Sequence, residues 1–203
     1  MKQLISLFLL SFCIFTIACS YRTSDPGKSQ PAAKQGALDL SNWDFDKDSI
    51  VTLDGEWEFY WNQLLDPDDF SLGNQHKRTG YIALPGGWNN FILNGKKLPG
   101  VGYATIRLIM RQQDDGIIKS LQIGNPFSAH RFLSYRLWFN GKLLSERNEI
   151  SKSNNPKIIF RERNIPLAES GKIENEIVIQ VSNYYYKSGG FCDSILYGQH
   201  DRI

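Results

Sequence analysis

Apolar residues recur at every second position through most of the chain, the period of strands that bury one face. Across residues 56–61 the rings of Trp57, Phe59 and Trp61 share a face and are assigned to the core. Across 104–110, Ala104, Ile106, Leu108 and Met110 point one way while Thr105 and Arg107 point the other. Leu121 and Ile123 mark a short strand. Tyr135, Leu137 and Phe139 alternate with Arg136 and Trp138 and run into Asn140-Gly141. That pair suits a two-residue hairpin, because both central positions of a type I′ turn need positive φ, and Lys142-Leu143-Leu144 supplies the return strand. Residues 158–160 form a further short strand, and 176–182 place Ile177, Ile179 and Val181 inward. Helical spacing is confined to one short turn over 61–65. Short alternating strands separated by closely spaced turn signals predict an all-β fold, an antiparallel two-sheet sandwich.

The N-terminus departs from this pattern. Lys2 is followed by an uncharged, almost wholly apolar run over residues 4–18. Such a run is too short for a span of about 20 residues and has the length of a signal-peptide core. It ends in Thr16-Ile17-Ala18-Cys19, which resembles the lipobox of bacterial lipoproteins, although most of those carry Leu, Val or Ile where this chain has Thr16. Residues 1–18 are therefore expected to be a signal peptide. Cys19 is expected to be lipidated, its thiolate accepting the diacylglyceryl group. Ordinary signal cleavage and an uncleaved anchor are the alternatives. Residues 19–36 are polar and broken by Pro and Gly, which predicts a flexible tether ahead of a domain over 37–203. The expected location is the bacterial cell envelope, lipid-anchored and facing the periplasm or the exterior, with membrane lipid as a partner.

Composition narrows the partners. The 23 basic residues nearly cancel the 21 acidic ones, leaving a net charge of +2, so the footprint of a nucleic-acid binder is missing. Of the three cysteines, Cys13 lies in the leader and Cys19 at the lipid site. Cys192 is left as a free thiol, without an intrachain disulfide.

Five blocks then occur in order: Leu53-Asp54-Gly55-Glu56-Trp57-Glu58-Phe59, Leu84-Pro85-Gly86-Gly87-Trp88-Asn89, Gly102-Tyr103-Ala104-Thr105-Ile106-Arg107-Leu108, Leu137-Trp138-Phe139-Asn140-Gly141-Lys142, and Asn175-Glu176-Ile177-Val178-Ile179-Gln180-Val181-Ser182-Asn183. Together they resemble the galactose-binding-like jelly roll that opens glycosidases of the β-galactosidase and β-glucuronidase type. With Leu38-Asp39-Leu40-Ser41-Asn42-Trp43-Asp44-Phe45 ahead of them, they resemble still more the extracellular sensory domain of bacterial seven-transmembrane receptors with diverse intracellular signalling modules. The resemblance covers residues 38–203 and implies a jelly-roll sandwich used for ligand recognition. Neither a catalytic barrel nor a set of membrane helices follows, so the expectation is a stand-alone module or the front fragment of a receptor.

No constellation for catalysis emerges. Asp66, Asp68 and Asp69 flank a proline and read as a solvated turn. His76, His130 and His200 lack metal-ligand spacing. Ser128-Ala129-His130 lacks a nucleophile elbow, and Gly86-Gly87 lacks the lysine of a phosphate loop. An enzyme, a metal and a cofactor are thus not expected. For binding, exposed aromatic rings stack on the apolar faces of sugars while polar neighbours satisfy hydroxyls. The expected ligand-binding residues are Trp88 and Asn89 in the Pro-Gly-Gly-Trp-Asn loop, Tyr103 at the start of its strand, and Tyr185 in the Tyr184-Tyr185-Tyr186 run. The bland alternative for Trp88 is a plug at the end of the sandwich. Arg107, Arg131 and Arg136 are expected in strand-face salt bridges rather than an anion site. The functional expectation is an exported, lipid-anchored, non-catalytic sensory module for a carbohydrate-like or other small ligand, working with a membrane signalling protein. The alternative is an interaction lipoprotein that docks on a membrane protein without a small ligand.

Overall fold

The alternating segments become strands, and their register follows from the face each one buries. The computed structural model describes residues 28–71, 76–124, 134–148, 150, 164–167 and 172–203. Among them the strands are β1 Ala37–Leu40, β2 Val51–Thr52, β3 Gly55–Trp61, β4 Gly80–Leu84, β5 Gly86–Gly87, β6 Ile92–Leu93, β7 Lys96–Lys97, β8 Gly102–Gln112, β9 Lys119–Ile123, β10 Ser134–Phe139, β11 Lys142–Arg147, β12 Asn164–Pro166, β13 Glu174–Asn183, β14 Gly190–Phe191 and β15 Ile195–Gln199, with a short helix α1 at Pro67–Ser71. The expected signal peptide, Cys19, the strand over 158–160, His130 and Arg131 lie outside the described residues.

The larger sheet has the order β11-β10-β13-β8-β3-β4, and the smaller one β12-β9-β15-β2. β8 is long enough to take two partners along one edge. It pairs antiparallel with β3 from Ala104 to Arg107 and parallel with β1 from Ile109 to Gln112. The other ladders are antiparallel, as the hairpin-rich sequence predicts. Asn140 and Gly141 take φ of 49° and 81° in the turn between β10 and β11, as the type I′ reading requires.

Between the sheets lies one apolar core. Ile106, Leu108 and Met110 of β8, Ile177 and Ile179 of β13, and Leu137 of β10 face Leu121 of β9 and Ile195 and Tyr197 of β15, all buried. The Tyr197 ring stacks on Phe139 at 6.4 Å and meets Phe45 edge-on at 5.5 Å. Its hydroxyl donates to Gln112 Oε1 at 2.7 Å, so this buried phenol is satisfied. Trp57 and Phe59 are fully buried as expected, and Trp57 Nε1 donates to Leu53 O at 2.9 Å. Trp61 differs. It sits half-buried at the margin of the core, edge-on to Trp88 at 5.1 Å.

Strict alternation fails where something covers the outer face. Tyr60 and Thr105 are buried although they point away from the core, because the chain after β3 folds back over them. Leu65 N donates to Thr105 Oγ1 at 2.8 Å, and that hydroxyl donates to Gln63 O at 2.9 Å. Phe70 of α1 lies 5.3 Å from the Tyr60 ring and 4.5 Å from the Arg107 guanidinium. The helical turn expected over 61–65 is displaced to Pro67–Ser71. Asp66 is the reason: its Oδ1 accepts from Asp68 N at 3.1 Å and Asp69 N at 3.3 Å, while Asp69 Oδ2 accepts from Asp66 N at 2.9 Å. This is a reciprocal N-cap with proline in the first helical position, and it accounts for the acidic cluster without a ligand.

Order also begins ahead of the expected boundary at residue 37. Ala33 is 2% exposed and bridges the chain, its N donating to Asp54 O and its O accepting from Glu56 N, both at 2.8 Å. Lys28 reaches the buried Asp48 carboxylate and donates to Asn42 O at 2.9 Å. Residues 28–36, read from the sequence as tether, are therefore docked on the sandwich. Their polar composition hid this because the docking runs through backbone groups of Ala33 and Gly36 and the polar side chains of Lys28 and Gln30. Among the described residues no helix is long and apolar enough to cross a membrane.

Candidate functional site

The two central strands of the large sheet converge at one end. The β8–β13 register places Tyr103 opposite Ser182 and Gly102 opposite Asn183, so Tyr103 and the Tyr184-Tyr185-Tyr186 run emerge together. After β13 the chain must return to β14, which pairs with β5 through Gly190↔Gly87 and Phe191↔Gly86. The intervening loop has no ladder of its own, and two asparagines hold much of its backbone.

Asn183 is the hub, 1% exposed. Its Nδ2 donates to Gly100 O at 2.8 Å, Tyr186 O at 2.9 Å and Ser188 O at 3.2 Å, and its Oδ1 accepts from Tyr185 N at 3.3 Å and Tyr186 N at 3.0 Å. Asn89 holds the far side: its Nδ2 donates to Lys187 O at 3.0 Å and its Oδ1 accepts from Gly189 N at 2.8 Å. Trp88 N donates to Gly189 O at 2.8 Å and Trp88 Nε1 to Pro99 O at 2.9 Å. Gly189 packs so closely on the indole that a Cβ there would lie 2.3 Å from it, which no side chain tolerates.

These contacts decide what each expected ligand residue does. Trp88 is 1% exposed, with its N–H spent on a carbonyl and no open face for a sugar ring. The short turn Trp88–Asn90 tips the indole inward, so Trp88 is the plug. Both ends of the Asn89 amide are spent on the loop backbone, which makes Asn89 framework as well. Tyr185 is the opposite case, 55% exposed on a loop whose neighbours are pinned. Val101, 48% exposed, follows Gly100, whose backbone touches Lys187 O and accepts from Asn183. Tyr103 and Tyr184 are half-buried beside them; burial, then the proximity of Tyr103, pushes the Tyr184 phenol above its ordinary pKa. The result is a small aromatic and aliphatic rim on a rigid base. The sequence reading missed Asn183 and Val101. An asparagine at a strand end ahead of a loop is a turn signal in its own right, and it was legible.

Elsewhere the chemistry closes on itself. Arg107 lies between Glu176 at 2.6 Å and Glu58 at 3.2 Å, and Arg136 pairs with Glu146 at 2.9 Å. Both arginines are thus in the strand-face salt bridges expected of them. Ser120 Oγ and His200 Nδ1 are 2.6 Å apart, but Ser120 is buried within β9. Among the described residues no group of three or more His, Cys, Asp or Glu side chains is placed to hold a metal.

No family model matches the sequence, and no curated protein matches it. Solved structures that resemble it include β-glucuronidases. The enzyme from an uncultured Clostridium sp. is 14% identical, with a TM-score of 0.48, over 74% of this chain and 29% of that one. The Faecalibacterium prausnitzii enzyme is 12% identical, with a TM-score of 0.48, over 74% and 31%. The Ruminococcus gnavus enzyme in complex with D-glucuronic acid is 12% identical, with a TM-score of 0.46, over 74% and 29%. The aligned part thus spans about three tenths of the length of these enzymes.

Proposed function

We propose that the chain is a non-catalytic recognition module that takes a carbohydrate-like ligand on the rim around Tyr185. In this reading a lipid on Cys19 holds it at the cell envelope, and it serves as the sensory input of a membrane signalling system. The observation that carries the reading is the contrast at the loop after β13. Asn183 and Asn89 tie down its backbone, yet the Tyr185 ring stands 55% exposed. A loop held by its backbone that carries a tyrosine more than half exposed has already met much of the ordering cost of a stacking platform. Tyr103, Tyr184 and Val101 lie at the same end of the sheet and would extend that platform. Support for a non-catalytic role comes from Asp66 and Asp69, which cap a helix, and from Arg107, which pairs with Glu176 and Glu58. The lipid and sensory parts rest on the lipobox-like segment and on the sequence resemblance.

A shallow rim buries little ligand, and one aromatic stack adds only about 1 kcal/mol beyond area burial, so weak binding is expected. Calorimetry of the full-length protein against neutral and acidic mono- and oligosaccharides tests the proposal. Millimolar binding that Tyr185→Ala removes supports it. Retention of binding by that variant takes the rim out of the site.

A further inference from the structure

A second concave surface lies between the 41–46 segment after β1 and the 113–117 turn that joins β8 to β9. It encloses about 330 Å³, within the range of small-molecule sites. Trp43 and Phe45 form its floor, and Asp44, Asp46, Gln113 and Asp115 its walls. The floor carries an anomaly. Trp43 is 7% exposed, and its indole Nε1 is buried without a hydrogen-bond partner among the described residues. Trp57 and Trp88 each donate to a backbone carbonyl, so the fold satisfies its other deeply buried indoles. A buried N–H left without an acceptor calls for an explanation, and Trp43 borders a groove that can supply one.

The walls define the chemistry of the missing partner. Asp44 is committed to its own turn, accepting from Asp46 N at 3.0 Å and Lys47 N at 3.2 Å and pairing with Lys47 Nζ at 2.8 Å. Asp115 accepts from Ile117 N at 3.0 Å and Lys119 Nζ at 2.5 Å, both through Oδ1, and Asp46 Oδ1 accepts from Gln199 Nε2 at 2.6 Å. Oδ2 of Asp46 and Oδ2 of Asp115 accept no hydrogen bond from the described residues. Lys47 and Lys119 balance two of the three carboxylates, so the groove has little need of a full cation. What remains is one unused donor, covered beside the groove, and unused acceptors along its walls. Hydroxyl groups, which donate and accept at once, complement that set.

We propose that this groove is a binding site for a neutral polyhydroxyl ligand of monosaccharide size, distinct from the rim around Tyr185. One ligand oxygen accepts from Trp43 Nε1, and hydroxyl protons go to Asp46 and Asp115. Because Nε1 is covered in the unliganded chain, binding turns the indole or its neighbours toward the groove, and the indole N–H reports that change directly. The test is a nitrogen–proton NMR titration of the full-length protein with D-glucose, D-galactose and myo-inositol as probes. The Trp43 indole signal is assigned by its loss in Trp43→Phe. A saturable shift of that signal, weakened about tenfold in Asp46→Asn and unchanged in Tyr185→Ala, is the expected result. No shift with any probe, or a shift that Asp46→Asn leaves as strong, overturns the proposal. Asp46 is exposed, so its variant keeps the test decisive if Trp43→Phe does not fold, with Trp43 then assigned through the remaining tryptophans. Loss of binding in Tyr185→Ala alone, with the Trp43 signal still, returns the ligand to the rim.

Discussion

Asn183 shows how one side chain sets the geometry of a whole rim. Its amide takes part in five hydrogen bonds to the loop after β13 and to Gly100. Alanine there leaves partly buried backbone groups unpaired, and a fully buried one costs about 1–3 kcal/mol. Asn183→Ala is therefore expected to lower stability by about 2–3 kcal/mol and to loosen Tyr185. The checks are a urea midpoint and hydrogen exchange at the amides of Tyr185 and Tyr186; an unchanged midpoint contradicts the hub role. At this scale the sequence is legible for residue type and mute on direction. Trp88 in Pro-Gly-Gly-Trp-Asn reads equally well as plug or platform. Only the Gly189 contact and the Pro99 carbonyl make it a plug, and the first comes from a segment distant in the chain.

The elements follow the alternating pattern where one face meets the core and depart from it where a neighbour covers the other face. Tyr60 of β3 is the clearest departure, an outward ring buried under α1. Burial, followed by the Glu58 carboxylate that its hydroxyl reaches at 2.9 Å, pushes its pKa up to about 12 from 10.0. The folded state thus holds this proton more tightly than the unfolded chain. The stability it contributes is complete below pH 10.0 and is lost as pH rises toward about 12. Tyr60→Phe is expected to flatten that alkaline loss. Thermal unfolding across alkaline pH, with tyrosinate absorbance, checks it; an identical alkaline limb in the variant contradicts it. Periodicity alone missed the cover because α1 is only one turn long and its signal is the Asp66 cap, not an apolar stripe. The Asn140-Gly141 hairpin was legible because its cause is local. The equivalent pair Asn94 and Gly95, with φ of 51° and 76°, closes β6 on β7 and carried the same signal.

For the whole molecule, the two-sheet sandwich was readable from pattern alone, since inward residues at Ile106, Leu108, Ile177 and Ile179 leave few other solutions. The docking of residues 28–36 was not, because backbone groups and polar side chains make it, with Ala33 the one buried methyl, and no apolar period marks such contacts. A palmitate analogue fed to the expressing bacterium is expected to label the protein, and Cys19→Ala to abolish the label and release a soluble form. A label that persists in the variant contradicts the anchor. The central claim is recognition at the rim, and the most direct measurement is NMR mapping of a bound saccharide on the full-length protein. The account predicts that ring signals of Tyr185, Tyr103 and Tyr184 move saturably while the Trp88 indole stays still, and that Tyr185→Ala abolishes the rim shifts. Rim signals that stay still while a saccharide binds elsewhere, or that move as strongly in Tyr185→Ala, would contradict it.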